Sequence, residues 1–253
     1  MTAGRLLEAL TERYEDLRRR ALDPVEVAIL DSGIDATHPD LAGRVVAAYR
    51  VEEVEDGYRA VEVRAGGNAD VFGHGTGVAS IVARTAPNAR LVDVRVLDAD
   101  NLGAGRALLA GMAAAIERGS RVVNMSLAAS SEFAPRLAAL CEKAYRNDQV
   151  VVAARRNMPL ADDGFPAELS SAISVDCERR DDPDSILFRR ETTIEYAAHG
   201  EDVVVAAPGG AFTTKSGTSF ATPLVSGLCA LLLGAYPELE PFEVRTVLKA
   251  LAE

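Results

Sequence analysis

The sequence predicts a three-layer α/β fold, a mostly parallel central sheet with helices on both faces, and three observations carry that prediction. Apolar runs of strand length, most clearly Val150-Val151-Val152-Ala153-Ala154, lack the alternation of a half-exposed strand and so belong in a sheet covered on both sides. Segments with helical apolar spacing separate these runs, as expected of parallel strands joined by crossovers. With 253 residues, 48% hydrophobic and 26% charged, the chain is long enough to bury a large core. One domain over residues 1–253 is the expectation.

Taken in order, Leu6, Leu7, Leu10, Tyr14 and Leu17 fall on one helical face. They predict an amphipathic helix within residues 1–22 that ends near Arg20 and packs on the sheet. Val25, Val27, Ile29 and Leu30 make a strand that ends in Asp31, followed by the turn signal Ser32-Gly33. Two alternating strands flank Asp56-Gly57, a hairpin signal and a local insertion. Strands are then expected at 89–97, 122–127, 150–154, 172–175 and 203–206, and helices at 108–116 and 133–145. Residues 224–233 are apolar enough for a buried helix whose first turn would hold Pro223, where a missing donor costs nothing. A last helix starts at Pro241. No internal repeat or low-complexity stretch interrupts this order.

Three stretches carry chemistry. Asp31 sits at the carboxyl end of a strand, the edge where α/β sheets place ligands. His74 lies between Gly73 and Gly75, which let the backbone turn tightly and leave the imidazole accessible. Ser219, in Gly217-Thr218-Ser219, opens a helix whose unpaired N–H groups face any anion forming beside its hydroxyl. Taken singly, each has a plain structural reading: a helix cap for Thr218 or Ser219, a loop or core residue for His74, a turn residue for Asn157.

Together, DSG, GHGT and GTSFATP, in the order Asp, His, Ser, resemble the subtilisin-like serine proteases, the subtilases. The resemblance runs from about Val25 to about Ala252. It implies a serine endopeptidase acting on proteins through an acyl-enzyme, with Ser219 as nucleophile, His74 as its base and Asp31 fixing the ring tautomer. The oxyanion hole would be the Ser219 backbone N–H and the side-chain amide of Asn157, which follows VVVAA as the family's asparagine does. Asn124-Met125-Ser126-Leu127-Ala128 resembles the strand that pairs with an extended substrate, so an extended polypeptide is the implied partner. Ser126, Leu127, Ala128, Ala154, Arg155, Arg156 and Gly164 form the implied substrate-binding set.

Departures from the family pattern bear on what is cut. Arg156 and Ala128 stand where relatives commonly have glycine, and their bulk should narrow the primary specificity pocket. Arg155 and Arg156 also have two readings, as cations presented to an acidic substrate side chain or as an exposed salt-bridged pair. Gly77 stands where relatives often have a second histidine. The connection VARTAPNAR leaves no room for the calcium loop of many relatives, so no metal and no cofactor is expected.

The formal net charge of −11, relieved only by Arg18-Arg19-Arg20, argues against nucleic acid as a partner. The N-terminal sequence lacks a secretory apolar core and no run reads as a membrane span, so a cytoplasmic protein without a propeptide is expected. Cys141, Cys177 and Cys229 have no CxxC spacing and permit one disulfide at most. A regulatory protein partner or inhibitor fits an intracellular protease. A pseudo-protease that only holds peptides is the alternative reading, while an esterase of another fold would need a GxSxG elbow that Ser219 does not occupy.

Overall fold

The computed structural model describes residues 3–157, 164–190 and 192–253. Its first segment departs from the single expected helix: α1 (Ala3–Ala9) and α2 (Tyr14–Arg18) are separate. Thr11 marks the break: its N–H turns back to the Glu8 carbonyl (3.0 Å), and its hydroxyl donates to the carbonyls of Glu8 (3.0 Å) and Leu7 (3.3 Å). Leu17 is fully buried, but Leu7 is 64% exposed and so does not share the packed face. Met1 and Thr2 of the expected helix lie outside the described residues.

The chain continues through β1 (Val25–Asp31), β2 (Val45–Val54), β3 (Gly57–Val63), α3 (His74–Thr85), β4 (Ala89–Arg95), α4 (Gly105–Arg118) and β5 (Val122–Met125). A 3-10 turn, Ser131–Phe133, leads into α5 (Ala134–Arg146). Then follow β6 (Val150–Ala154), β7 (Ile173–Glu178), β8 (Ile186–Phe188), β9 (Tyr196–His199), β10 (Val203–Ala207), β11 (Ala211–Lys215), α6 (Thr218–Ala235) and α7 (Pro241–Leu251).

The main sheet has nine strands in the order β3-β2-β4-β1-β5-β6-β7-β9-β8. From β2 to β9 every pairing is parallel, and antiparallel β3 and β8 close the edges. The expected hairpin is the β2–β3 edge, with Val54 opposite Gly57. The expected strand at 203–206 forms, but as β10 it pairs with β11 in a separate two-stranded ribbon.

Alternation along β1 decides the layers. Val27 and Ile29 face a core shared with α3, α6 and α7, while Ala28 and Leu30 face a second core with α4 and α5. Helix α6 runs through the first core and, apart from Ser219, every residue from Thr218 to Ala235 is buried. Among the described residues it is the one helix long and apolar enough to cross a membrane. The three cysteines are free thiols, and burial pushes Cys141 and Cys229 up to about 12.

The expected start of this helix needs correction. Because α6 begins at Thr218, Pro223 lies inside it and not in its first turn. Proline there removes the N–H that would bond the carbonyl four residues back, that of Ser219. The Ser126 hydroxyl donates to that carbonyl instead, at 2.9 Å.

Candidate active site

The sheet order reverses at β1: β4 follows β1 on one side and β5 lies on the other, which opens a crevice at the carboxyl ends of β1 and β5. Asp31 ends β1 there, 1% exposed. Its carboxylate accepts the Ser32 N–H at 2.8 Å and lies 2.8 and 2.9 Å from Nδ1 of His74, the first residue of α3. Burial pulls His74 down, its largest single influence; the charge of Asp31, its hydrogen bond, and the charge of Asp70 together outweigh this, so the imidazole is raised above its ordinary value.

A residue that motif reading passed over holds this loop. Asp70 accepts the Ser32 hydroxyl (2.8 Å), the N–H groups of Phe72 (3.1 Å), Gly73 (2.7 Å) and Thr76 (2.8 Å), and the Thr76 hydroxyl. The Ser32 hydroxyl in turn accepts the Gly75 N–H at 3.0 Å, and the Thr76 hydroxyl accepts the Asp35 N–H at 2.9 Å. Both loops are thereby locked to each other. Gly75 is obligatory, since a Cβ there would lie 2.2 Å from the Gly33 carbonyl oxygen and 3.0 Å from the Asp31 Cβ. The signal was an aspartate four residues before His74, unremarkable without coordinates.

Ser219 is the second residue of α6, and its hydroxyl donates to the Ser126 carbonyl at 3.0 Å. The strand and the helix are tied more deeply by Asn124, fully buried on β5, which donates to the Ser126 hydroxyl (3.1 Å) and accepts from Ser226 of α6 (2.8 Å). Phe220 turns its ring to His74, with centroids 5.2 Å apart. Space for that ring comes from Gly77, where a Cβ would stand 3.1 Å from Val205 Cγ2 and 3.4 Å from Phe220 Cε1. Asn157 follows β6, and its Oδ1 accepts the N–H (3.0 Å) and hydroxyl (2.9 Å) of Thr218.

A cavity of about 290 Å³ adjoins Ser219 and is lined by Ser126, Leu127, Ala128, Ala154, Arg155, Arg156, Asn157 and Thr218. Gly164 closes it from beside: a Cβ there would lie 2.8 Å from the Arg156 Cβ and 3.2 Å from the Ala128 Cβ. The two arginines part ways. Arg155 is exposed and donates to Asp176 at 2.9 Å, an acid it shares with Arg189, whereas Arg156 is half-buried.

An acid hydrogen-bonded to an imidazole on the loops of a doubly covered parallel sheet, beside a strand-lined groove, is an arrangement found in hydrolases of the serine-nucleophile class. Comparison with known proteins narrows this. The profile of the Subtilase family matches residues 23–253. The chain is 33% identical over 222 residues to a protein named Intracellular serine protease from Paenibacillus polymyxa, covering 82% of this chain and 66% of that protein. It is also 33% identical to Subtilisin DY of Bacillus licheniformis over 241 residues, 90% of this chain and 83% of the relative. The fold matches that of the solved structure of Sphericase with a TM-score of 0.72 at 22% identity, covering 92% of this chain and 86% of that one. This chain belongs to the subtilase family and, with it, to the serine-type peptidases.

Proposed function

We propose that the chain is an endopeptidase that cleaves extended polypeptides by way of an acyl-enzyme on Ser219. The observation that carries this reading is the Asp31–His74 hydrogen bond, with Phe220, the residue after the helix-opening Ser219, packed against the His74 ring. With Nδ1 bound to Asp31, the other ring nitrogen of His74 is left to take a proton. Ser219 must then turn its hydroxyl from the Ser126 carbonyl to that nitrogen. A substrate laid along Ser126-Leu127-Ala128 brings its own backbone N–H to compete for such carbonyls, the way an added strand does, and so releases the hydroxyl. Attack forms a tetrahedral oxyanion, which the Ser219 N–H and the Asn157 amide stabilise; Oδ1 of Asn157 is committed to Thr218, and its NH2 is the donor end. His74 then gives its proton to the leaving amine, and water releases the acyl group by the reverse exchange.

The name of the Paenibacillus relative supports placing this protease inside the cell, in the cytoplasm, where a protein partner or the narrowed pocket would restrain it. A fluorophosphonate, which needs an activated serine, tests the mechanism. Labelling is expected in the wild type and lost in Ser219→Ala and His74→Ala, with peptide turnover down about 10⁶-fold, a magnitude carried over from subtilisin. A wild type that binds peptides but never labels would make the chain a peptide-holding module.

A further inference from the structure

The proposed mechanism divides the groove at Ser219. The acyl half of a substrate lies along Ser126-Leu127-Ala128, and the cavities of about 290 and 520 Å³ that those residues line include, among the described residues, none of β10 or β11. The other half leaves past His74, which hands its proton to the departing amine. The β10–β11 ribbon stands on that side. A Cβ on Gly73, the residue before His74, would lie 3.2 Å from Cδ of Pro208 in the ribbon's turn, and a Cβ on Gly77 would lie 3.1 Å from Val205 of β10.

Register fixes which ribbon side chains face this way. Val203 pairs with Lys215 and Val205 with Thr213, so these four share a face, the one that Val205 turns to α3. Val203 and Val205 join the core, whereas Lys215, at the end of β11 and four residues before Ser219, is exposed. Its ammonium is close enough for its charge to work against protonation of His74, beside the larger effects of burial and Asp31. The acids along the ribbon are engaged elsewhere, Asp202 and Glu201 by Arg179, and Asp35 by the Thr37 hydroxyl and the Gly209 N–H. Among the described residues none lies within ion-pair distance of Lys215.

We infer that Lys215 makes this peptidase favour an acidic side chain, aspartate or glutamate, at the residue that supplies the leaving amine. The inference rests on the endopeptidase reading above and adds to it a substrate class. An ammonium on a flexible four-carbon stem acts as a point charge that can swing to a carboxylate without a shaped pocket. A basic side chain there would meet a like charge. Because the pair stays exposed, its effect is small and salt screens it.

The test uses the full chain and three peptides with one common acyl half, differing only at the residue after the cleaved bond: Glu, Gln and Lys. At low ionic strength the expected kcat/KM for Glu exceeds that for Gln by about 2- to 5-fold, the range of an exposed charge pair, with Lys slowest. In about 1 M salt the three should converge. Lys215→Gln, checked for folding by circular dichroism, should also bring them together, and Lys215→Glu should put Lys ahead. The net charge of −11 would by itself draw the Lys peptide, so a Glu preference reads a local cation. Equal rates in the wild type, Lys cleaved fastest, or a Glu preference that survives in both variants overturns the inference and leaves the endopeptidase reading standing. No cleavage of any peptide together with no fluorophosphonate labelling overturns both.

Discussion

Two carboxyl groups on neighbouring strands meet opposite fates. Asp31 on β1 and Asp93 on β4 face the same side of the sheet, since Asp93 pairs with Ile29 and Asp31 with Arg95, and both are buried. Asp31 is met by the Ser32 N–H and by His74. Neither oxygen of Asp93 has a hydrogen-bond partner, and its carboxyl is pushed up to about 7. Burial is the main cause and the charges of Asp70 and Asp31 add to it, while Asn68 and the Ile34 amide pull the other way without reaching bonding geometry. Equal burial thus gives a hydrogen-bonded carboxyl in one place and an unpartnered one in the other; what differs is the partner.

The largest effect that breaks the comparison should come from Asp31→Asn. Turnover should fall about 10⁴-fold, the scale of this change in other triad enzymes. His74 is raised while Asp31 is charged, so the acid limb of the wild-type kcat/KM profile should lie above the ordinary histidine value of about 6.5. In the variant that limb should move to lower pH. An unmoved limb would mean that Asp31 does not set the base. Asn157→Ala serves as a contrast: kcat should drop about 10²–10³-fold, as for the corresponding donor in subtilisin, with the limb unchanged, because no titrating group is touched.

Asp93→Asn should give the smallest effect and show itself in stability. Below about pH 4 the wild-type carboxyl is protonated whether folded or not, so the group contributes nothing. From about pH 4 to 7 the unfolded chain ionises it and the folded chain does not, so wild-type stability should decline across that window, by about 4 kcal/mol. The variant should lack this decline. Parallel urea-denaturation curves for the two proteins at pH 4 and pH 8 would contradict the picture.

Much of the central fold was legible because its residues repeat one physical pattern. Val150 to Ala154 is apolar on both faces, and the strand is buried on both. The glycines around His74 signalled a tight turn, but not that Gly75 would pack against the Gly33 carbonyl of the Asp31 loop. Strands β8 and β9 were not legible, for at three and four residues they are too short to carry a period. Pro223 was misplaced because its compensation comes from Ser126, far along the chain. Asp70 and Asp93 could not be told apart from ordinary surface acids: one is defined by the donors around it, the other by their lack. Arg155 and Arg156 are adjacent and chemically identical, and nothing in the sequence says that Arg155 reaches Asp176.

The proline in α6 has one more consequence. By withdrawing a rung from the helix ladder it leaves the Ser219 carbonyl to the Ser126 hydroxyl, while the Ser219 hydroxyl reaches back to the Ser126 carbonyl. Groove wall and helix start are therefore buckled together at two points. Under the proposed mechanism, a substrate that presses on one displaces the other, so how well a peptide seats and how fast it is cut could not be tuned apart.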